Sequence, residues 1–416
     1  MGSKLIALIV IVLGVIAIAQ LVRVYELSSK LRNRGEHEVS TGDNNLNAKL
    51  MLAFMIFLFG GFIYLMAKYG WAGRGDAASV HGHGLDWLLS VNYVIIIAVF
   101  FLTNFLLFFF SWKYVRKAGV KALYFSHDNK LEMIWTVVPA CVLAVIIILG
   151  LKQWNEATSA AVTDSTRIEL FSKQFDWTAR YSGLDNKLGK FDYKLTTDNN
   201  ELALMTSETI DSAIFNMENG VTGIKAIAAK LNDSKIMLVP EDREKMVSDL
   251  SRKQQLIRLL YQMKARHNKN VDASAWDDII QKDTLYLCEN KEYEFNFRSK
   301  DVIHSAYFPH FRAQMNTVPG LTTRFKFIPD ITSVDMRKKM NNEKFNFVLM
   351  CNKICGNAHY KMKMIIVVLS PSEFKSWMRM KQKQTFKDIY FAAAAATVEP
   401  GVVADTMAVT AEAVIK

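Results

Sequence analysis

The stretch CNKICGNAHYKM, from Cys351 to Met362, sets two thiols, an imidazole and a thioether within twelve residues. Each of these side chains offers a metal a soft or borderline donor atom, and a tetrahedral zinc site would leave the thioether without a use. Copper fits the set better. Two thiolates four residues apart on a tight loop, helped by Gly356, can each bridge two copper ions. A more distant histidine, His304 in SKDVIHSAYFPHF, follows the apolar segment 293–297 closely enough to sit at the end of a strand sandwich. His304 and His359 then cap one copper each, and Met362 with a loop carbonyl completes the two coordination spheres. Such a centre shares one electron over both metals, so its bonds rearrange little on reduction and electron transfer is fast. Two other readings stand beside it: a Cys351–Cys355 disulfide, which an outer compartment permits, and a structural zinc on Cys351, Cys355, His304 and His359. Met362 discriminates among the three.

Upstream of this loop the composition is uneven. Four apolar runs, residues 5–24, 50–66, 88–112 and 133–151, are each long enough to cross a hydrocarbon core of roughly 20 helical residues. Ala17-Ile18-Ala19 has the small-residue look of a signal-peptide cleavage site, but the first run is read as retained. Arg23, Lys30, Arg32, Arg34 and Lys49 lie between the first two runs, and Lys113, Arg116, Lys117 and Lys121 between the last two. By the positive-inside rule both loops are cytoplasmic, which puts everything after Leu151 on the outer face. The formal net charge of +11 is partly this bias, and no basic-aromatic interleaving points to nucleic acid. Of the other cysteines, Cys141 lies inside the fourth run and Cys288 in a strand segment, both read as packing residues.

After Trp154 the texture changes to short segments rich in aromatic and β-branched residues, at 167–171, 190–195, 284–288, 292–297, 323–328, 345–351 and 364–369. They predict an all-β sandwich or barrel. The series is interrupted over 201–283, where Pro240-Glu241-Asp242 opens a helix and Met246, Leu250, Ile257, Leu260 and Met263 recur at helical spacing. The tail from Phe391 is alanine-rich, either a partner-docking extension or disordered.

Several motifs in order resemble cytochrome c oxidase subunit II. HDNKLEMIWTVVPA (127–140) is similar to the start of that family's second transmembrane helix, and QFDWTARY (174–181) to its aromatic stretch. DVIHSAYFP (301–309) and VPG (318–320) resemble its first copper-ligand region, and the opening stretch its Cys-x-x-x-Cys-Gly-x-x-His-x-x-Met loop. The likeness covers about 88–200 and 284–375. It implies a membrane-anchored cupredoxin-like sandwich carrying dinuclear copper A, with His304, Cys351, the Lys353 carbonyl, Cys355, His359 and Met362 as ligands. It also implies partner subunits, among them subunit I with the haems, and a cytochrome c or cytochrome c domain as donor. The setting would be an energy-transducing membrane, the bacterial inner one, with the copper domain on the periplasmic face.

Departures from the family matter as well. Lys353 stands where a glutamate usually binds an interface magnesium, and Asn316 where an acidic residue usually lies near it, so that magnesium loses both carboxylates. The Lys353 ammonium is expected to replace the missing cation. Phe175 takes the place of the first tryptophan of the family's Gln-Trp-x-Trp, with Trp177 in the second; both are candidates for electron input, or simple packing residues. Glu132, at the cytoplasmic start of a transmembrane helix, would sit at the mouth of a proton path into subunit I. His81, His83 and His310 are read as solvated or surface positions.

The expected organisation is an extra two-helix region (1–86), a transmembrane hairpin (87–154), a split copper domain (155–200 and 284–375) around a helical insertion (201–283), and an extension (376–416). The expected function is acceptance of electrons from cytochrome c for a haem-copper oxidase that reduces dioxygen to water and pumps protons. A copper-A nitric oxide reductase subunit and a non-redox membrane assembly module held by zinc or a disulfide are the alternatives. A quinol oxidase is disfavoured because that branch lacks these ligands, and no Cys-x-x-Cys-His motif provides a haem in this chain.

Overall fold

The computed structural model describes residues 2–31, 40–70, 75–117, 119–124, 126–162 and 165–396. Arg32 and Arg34 of the first basic loop and the last twenty residues of the expected extension, 397–416, lie outside them.

Four helices carry the apolar runs: α1 (Gly2–Leu31), α2 (Thr41–Tyr69), α3 (Val80–Lys113) and α4 (Asn129–Thr158). All four are long and apolar enough to cross a membrane, and apolar residues surround each of them rather than forming one stripe. The chain is a membrane protein. Residues up to 74 and 90–143 form one unit, and residues 75–89 with those from 144 onward another. Within the first, Ser40 caps α2 by accepting from the Asp43 N–H, and aromatic pairs such as Phe59–Phe101 (4.6 Å) and Phe62–Phe100 (5.2 Å) join α2 to α3. Cys141 lies on the exposed surface of α4.

In the second unit the chain continues through β1 (Thr166–Lys173) and β2 (Asp176–Tyr181). It then enters α5 (Ser207–Asn219), α6 (Ile224–Asn232), α7 (Pro240–Arg266) and α8 (Asp272–Trp276). The strands resume with β3 (Ile279–Lys282), β4 (Thr284–Cys288), β5 (Tyr293–Ser299), β6 (His304–Phe308), β7 (Ala313–Thr317) and β8 (Thr323–Phe327). After α9 (Ser333–Lys339) come β9 (Phe347–Cys351), β10 (Lys363–Leu369), α10 (Pro371–Lys381) and α11 (Phe386–Ala396). Two five-stranded sheets result, ordered β3-β2-β1-β5-β8 and β4-β10-β9-β6-β7. The β1–β5 and β10–β4 pairs are parallel, and the other strand pairs antiparallel. Alternation explains the layering: Tyr293, Phe295 and Phe297 of β5 point into the same buried core as Ile168, Leu170, Phe308, Phe347 and Leu349. Cys288 is buried in that core.

The expected sandwich with a helical insertion is present, with local corrections. Segment 190–195 is no strand: Asp192 accepts from the Lys194 N–H and starts a short 3-10 turn. β3 falls inside 201–283 yet pairs with β2 from Thr178 to Tyr181, so the sandwich resumes before Asp283. Ile257 and Leu260 of α7 close a small core of their own with Ile210, Ala213 and Ile214 of α5. The described part of the C-terminal extension packs on its own chain, with Trp377 stacked on Tyr286 (4.8 Å) and Phe386 on Trp276 (5.3 Å).

Of the histidines read as solvated or surface positions, His83 is exposed as expected, while His81 and His310 are packed against aromatic rings. His81 packs against Phe325, His83 bonds Asp330 at 2.6 Å, and His310 rests edge-on against Phe345 and Phe347. They help seat residues 75–89 on the sandwich, where Arg312 also holds Asp86 at 2.9 Å.

Candidate metal centre

Four loops meet at one end of the sandwich: β1–β2, β5–β6, β7–β8 and β9–β10. Strand register brings them there, since His304 opposes Thr317 at the start of β6 and Ala306 opposes Cys351 at the end of β9. The Ser172 and Thr317 hydroxyls, 2.6 Å apart, add a link between the sheets.

On this end the β9–β10 loop coils back on itself. The Cys351 N–H donates to the Met362 carbonyl at 3.0 Å, and the His359 N–H to the Gly356 carbonyl at 3.1 Å. The coil gathers the donors. Cys355 Sγ lies 3.9 Å from Cys351 Sγ, 3.5 Å from His359 Nδ1 and 3.8 Å from Met362 Sδ. Cys351 Sγ lies 3.1 Å from the Lys353 carbonyl and 3.9 Å from His304 Nδ1. All six predicted ligand groups are thus brought to one place, and Cys351 and Cys355 are free thiols. Burial first, then the Cys351 thiol, push Cys355 up to about 11. Taking up a metal there therefore releases protons.

Two supporting residues escaped the sequence reading. Asp301 Oδ1 sits 2.8 Å from His304 Nε2. A carboxylate there demands the proton on Nε2, which leaves the Nδ1 lone pair facing Cys351. Gln174 donates its backbone N–H to Asp301 Oδ2 at 2.7 Å and its side-chain amide to the Cys355 carbonyl. The signal available was proximity in sequence, Asp301 three residues before His304 and Gln174 the first residue of the aromatic stretch; no spacing rule marks either as a support.

The two aromatic candidates are placed differently. Trp177 is fully buried, its ring 6.2 Å edge-on from His304, and its indole N–H has no partner. Phe175 is half-buried over Gly356, which has φ +138°. Lys353 and Asn316 are exposed. Glu132 is half-buried in the first turn of α4, 3.7 Å from His127, and Asp128 caps that helix by accepting from the Lys130 and Leu131 N–H groups.

The donor set suits copper: two thiols and a thioether supply soft sulfur, and two imidazoles borderline nitrogen. A four-coordinate Cys₂His₂ zinc would leave Met362 Sδ, buried and 3.8 Å from Cys355 Sγ, without a role.

The other sheet, β3-β2-β1-β5-β8, carries a buried charge network that the sequence did not announce. Glu169 accepts from Arg180 at 2.7 Å and Arg298 at 2.6 Å, and Arg180 also donates to Asp278 at 2.6 Å. Burial alone would raise Glu169, but the two guanidiniums outweigh it and hold the carboxyl down at about 2. For Asp278 burial wins over Arg180 and pushes it up to about 7.

Comparison with known proteins agrees with this picture. Residues 68–153 match the family described as "Cytochrome C oxidase subunit II, transmembrane domain". The chain is 23% identical to the alternative cytochrome c oxidase subunit 2 of Bradyrhizobium diazoefficiens, over 71% of this chain and 80% of the relative. It is 21% identical to cytochrome c oxidase subunit 2 of Cereibacter sphaeroides, over 76% and 82% respectively. A local match to that subunit of Thermostichus vulcanus reaches 31% identity over 26% of this chain and 28% of the relative. Among solved structures, the periplasmic domain of subunit II of cytochrome oxidase from Bradyrhizobium japonicum aligns over 54% of this chain and 98% of that domain. Its identity is 16% and its TM-score 0.26, too low to bear on the assignment. With the transmembrane family match and two relatives matched over most of their length, this chain, four apolar helices followed by a β-sandwich, is similar to cytochrome c oxidase subunit II.

Proposed function

We propose that this chain is the subunit through which electrons enter a haem-copper terminal oxidase. His304, Cys351, the Lys353 carbonyl, Cys355, His359 and Met362 hold dinuclear copper A. The observation that carries the reading is the position of Cys355 Sγ, within 3.9 Å of a second thiol, an imidazole nitrogen and a thioether at once. When bound, the copper pair supplies a one-electron acceptor whose charge is spread over two metals. The chain's own residues prepare that site: Asp301 keeps the His304 proton on Nε2, and Gln174 fixes the Cys355 carbonyl.

A cytochrome c, or a cytochrome c domain of an associated complex, is the proposed donor. Phe175 is its contact ring, and Trp177 lies buried 6.2 Å from the His304 ring. Electrons pass on to the haem-bearing subunit I, where dioxygen is reduced to water and protons are pumped; Glu132 collects protons at the cytoplasmic mouth of that path. The copper domain faces the outside of an energy-transducing membrane, the bacterial inner membrane. Lys353 takes the place of the interface magnesium.

Metal analysis with electron paramagnetic resonance on the purified protein tests the reading. Two coppers per chain and one unpaired electron split by both nuclei are expected in the oxidised state. Zinc, or no metal with a Cys351–Cys355 disulfide, overturns it in favour of an assembly module.

A further inference from the structure

Resting on the reading of this end of the sandwich as the place where electrons enter, we propose that it docks an electron donor whose surface carries carboxylates around an apolar centre. The surface around the thiol loop has the opposite composition. Its middle is apolar: Ile354 is 87% exposed and Tyr360 77%, unusual values for large side chains on a tightly bonded loop. Its rim is cationic. The four loops and the strand residues that flank them directly carry Lys173, Lys300, Lys361 and Lys363, beside the Lys353 assigned to the subunit I contact, against only Asp176 and Asp301.

The two aspartates keep their negative charge but leave the lysines in excess. Asp301 is engaged by His304 and by the Gln174 N–H, and Asp176 accepts from the Trp177 N–H. Lys173 and Lys300 share a single carboxylate, Glu201, at 2.6 and 3.3 Å. Among the described residues no carboxylate lies within salt-bridge distance of Lys361 or Lys363, and Lys361 instead stands 5.6 Å over the Tyr360 ring. An apolar centre with a rim of one sign is the form of a transient, steered interface. Its sign selects a partner with the opposite charge, and a donor ringed by lysines would be repelled.

The test measures binding to the purified, copper-loaded oxidase complex containing this chain. The probes are two c-type cytochromes in the ferric state, one with an acidic and one with a basic surface around the haem edge. Ferric probes transfer nothing, so affinity is read apart from turnover. Salt is raised from about 10 mM to about 150 mM, shrinking the Debye length from roughly 30 to 8 Å. The acidic probe is expected to bind at least ~10-fold tighter at low salt and to lose that advantage at high salt. Lys361→Glu and Lys300→Glu should weaken it several-fold. Glu201→Gln, which releases Lys173 and Lys300 from their carboxylate, should tighten it, a gain that misfolding cannot mimic. Tighter, salt-sensitive binding of the basic probe, or affinities indifferent to salt and to all three variants, would overturn the proposal. A complex that binds neither probe and lacks the two-nucleus copper signal would instead overturn the electron-input reading itself.

Discussion

Asp301 and His304, three residues apart, meet at 2.8 Å between a carboxylate oxygen and Nε2, and that one bond decides which imidazole nitrogen faces the thiols. Donor and support come from a single turn at the head of β6. The second oxygen of Asp301 is held by the Gln174 N–H, so the carboxylate cannot rotate away.

Replacing Asp301 with alanine removes the acceptor and frees the ring to present the wrong tautomer. Copper affinity should fall by roughly 10–100-fold, the usual cost of losing such a support. Competition against a copper chelator measures it, and an unchanged affinity would show that the bond is incidental.

Gly356 adopts φ +138°, and a Cβ there would lie 2.9 Å from both the Phe175 ring and the Gln174 amide. Gly356→Ala should therefore cost about 1–3 kcal/mol of backbone strain and push the loop off Phe175. A lower Tm together with a diminished or altered copper signal is expected; a variant that melts and loads like the parent would refute the tight approach.

Glu169 stands between two buried guanidiniums, and Glu169→Gln leaves both undercompensated. The expected loss is about 3–5 kcal/mol, seen as a fall in Tm. The pH dependence has a definite sign. Because the folded carboxyl is held at about 2, below its ordinary 4.5, its contribution is complete above that ordinary value and is lost as pH falls through about 2. Acidification across this window should destabilise the parent more steeply than the variant, and parallel curves would sink the assignment.

Glu132→Gln tests the proton path. Proton-coupled turnover should slow while the copper spectra stay intact, because Glu132 lies in the first turn of α4 and none of the ligand groups belongs to that helix. Unchanged turnover would reduce Glu132 to an ordinary interfacial acid.

Much of this was legible in the linear order. The membrane spans could be read because hydrocarbon accepts only long, continuous apolar helices, and such runs need no tertiary information to recognise. The ligand loop could be read because its donor types crowd into a few residues. Strands β2, β6 and β7 were missed or treated as motif because polar and site residues interrupt their alternation. His81 and His310 were misjudged because nothing local shows which phenylalanines will lie beside them.

The sequence by itself determined the anchor, the β-rich domain, the helical interruption and the ligand types, since each depends on local hydropathy, periodicity or donor chemistry. Only the tertiary structure decided that Asp301 and Gln174 bond to His304 and the Cys355 carbonyl, that Trp177 is buried while Phe175 reaches the surface, and that Glu169, Arg180, Asp278 and Arg298 form one network. The physical reason is common to all three. Hydrogen bonds and buried charges are set by which strands become neighbours, and β1–β5 and β6–β9 pairings join residues more than a hundred and about forty-five positions apart, respectively.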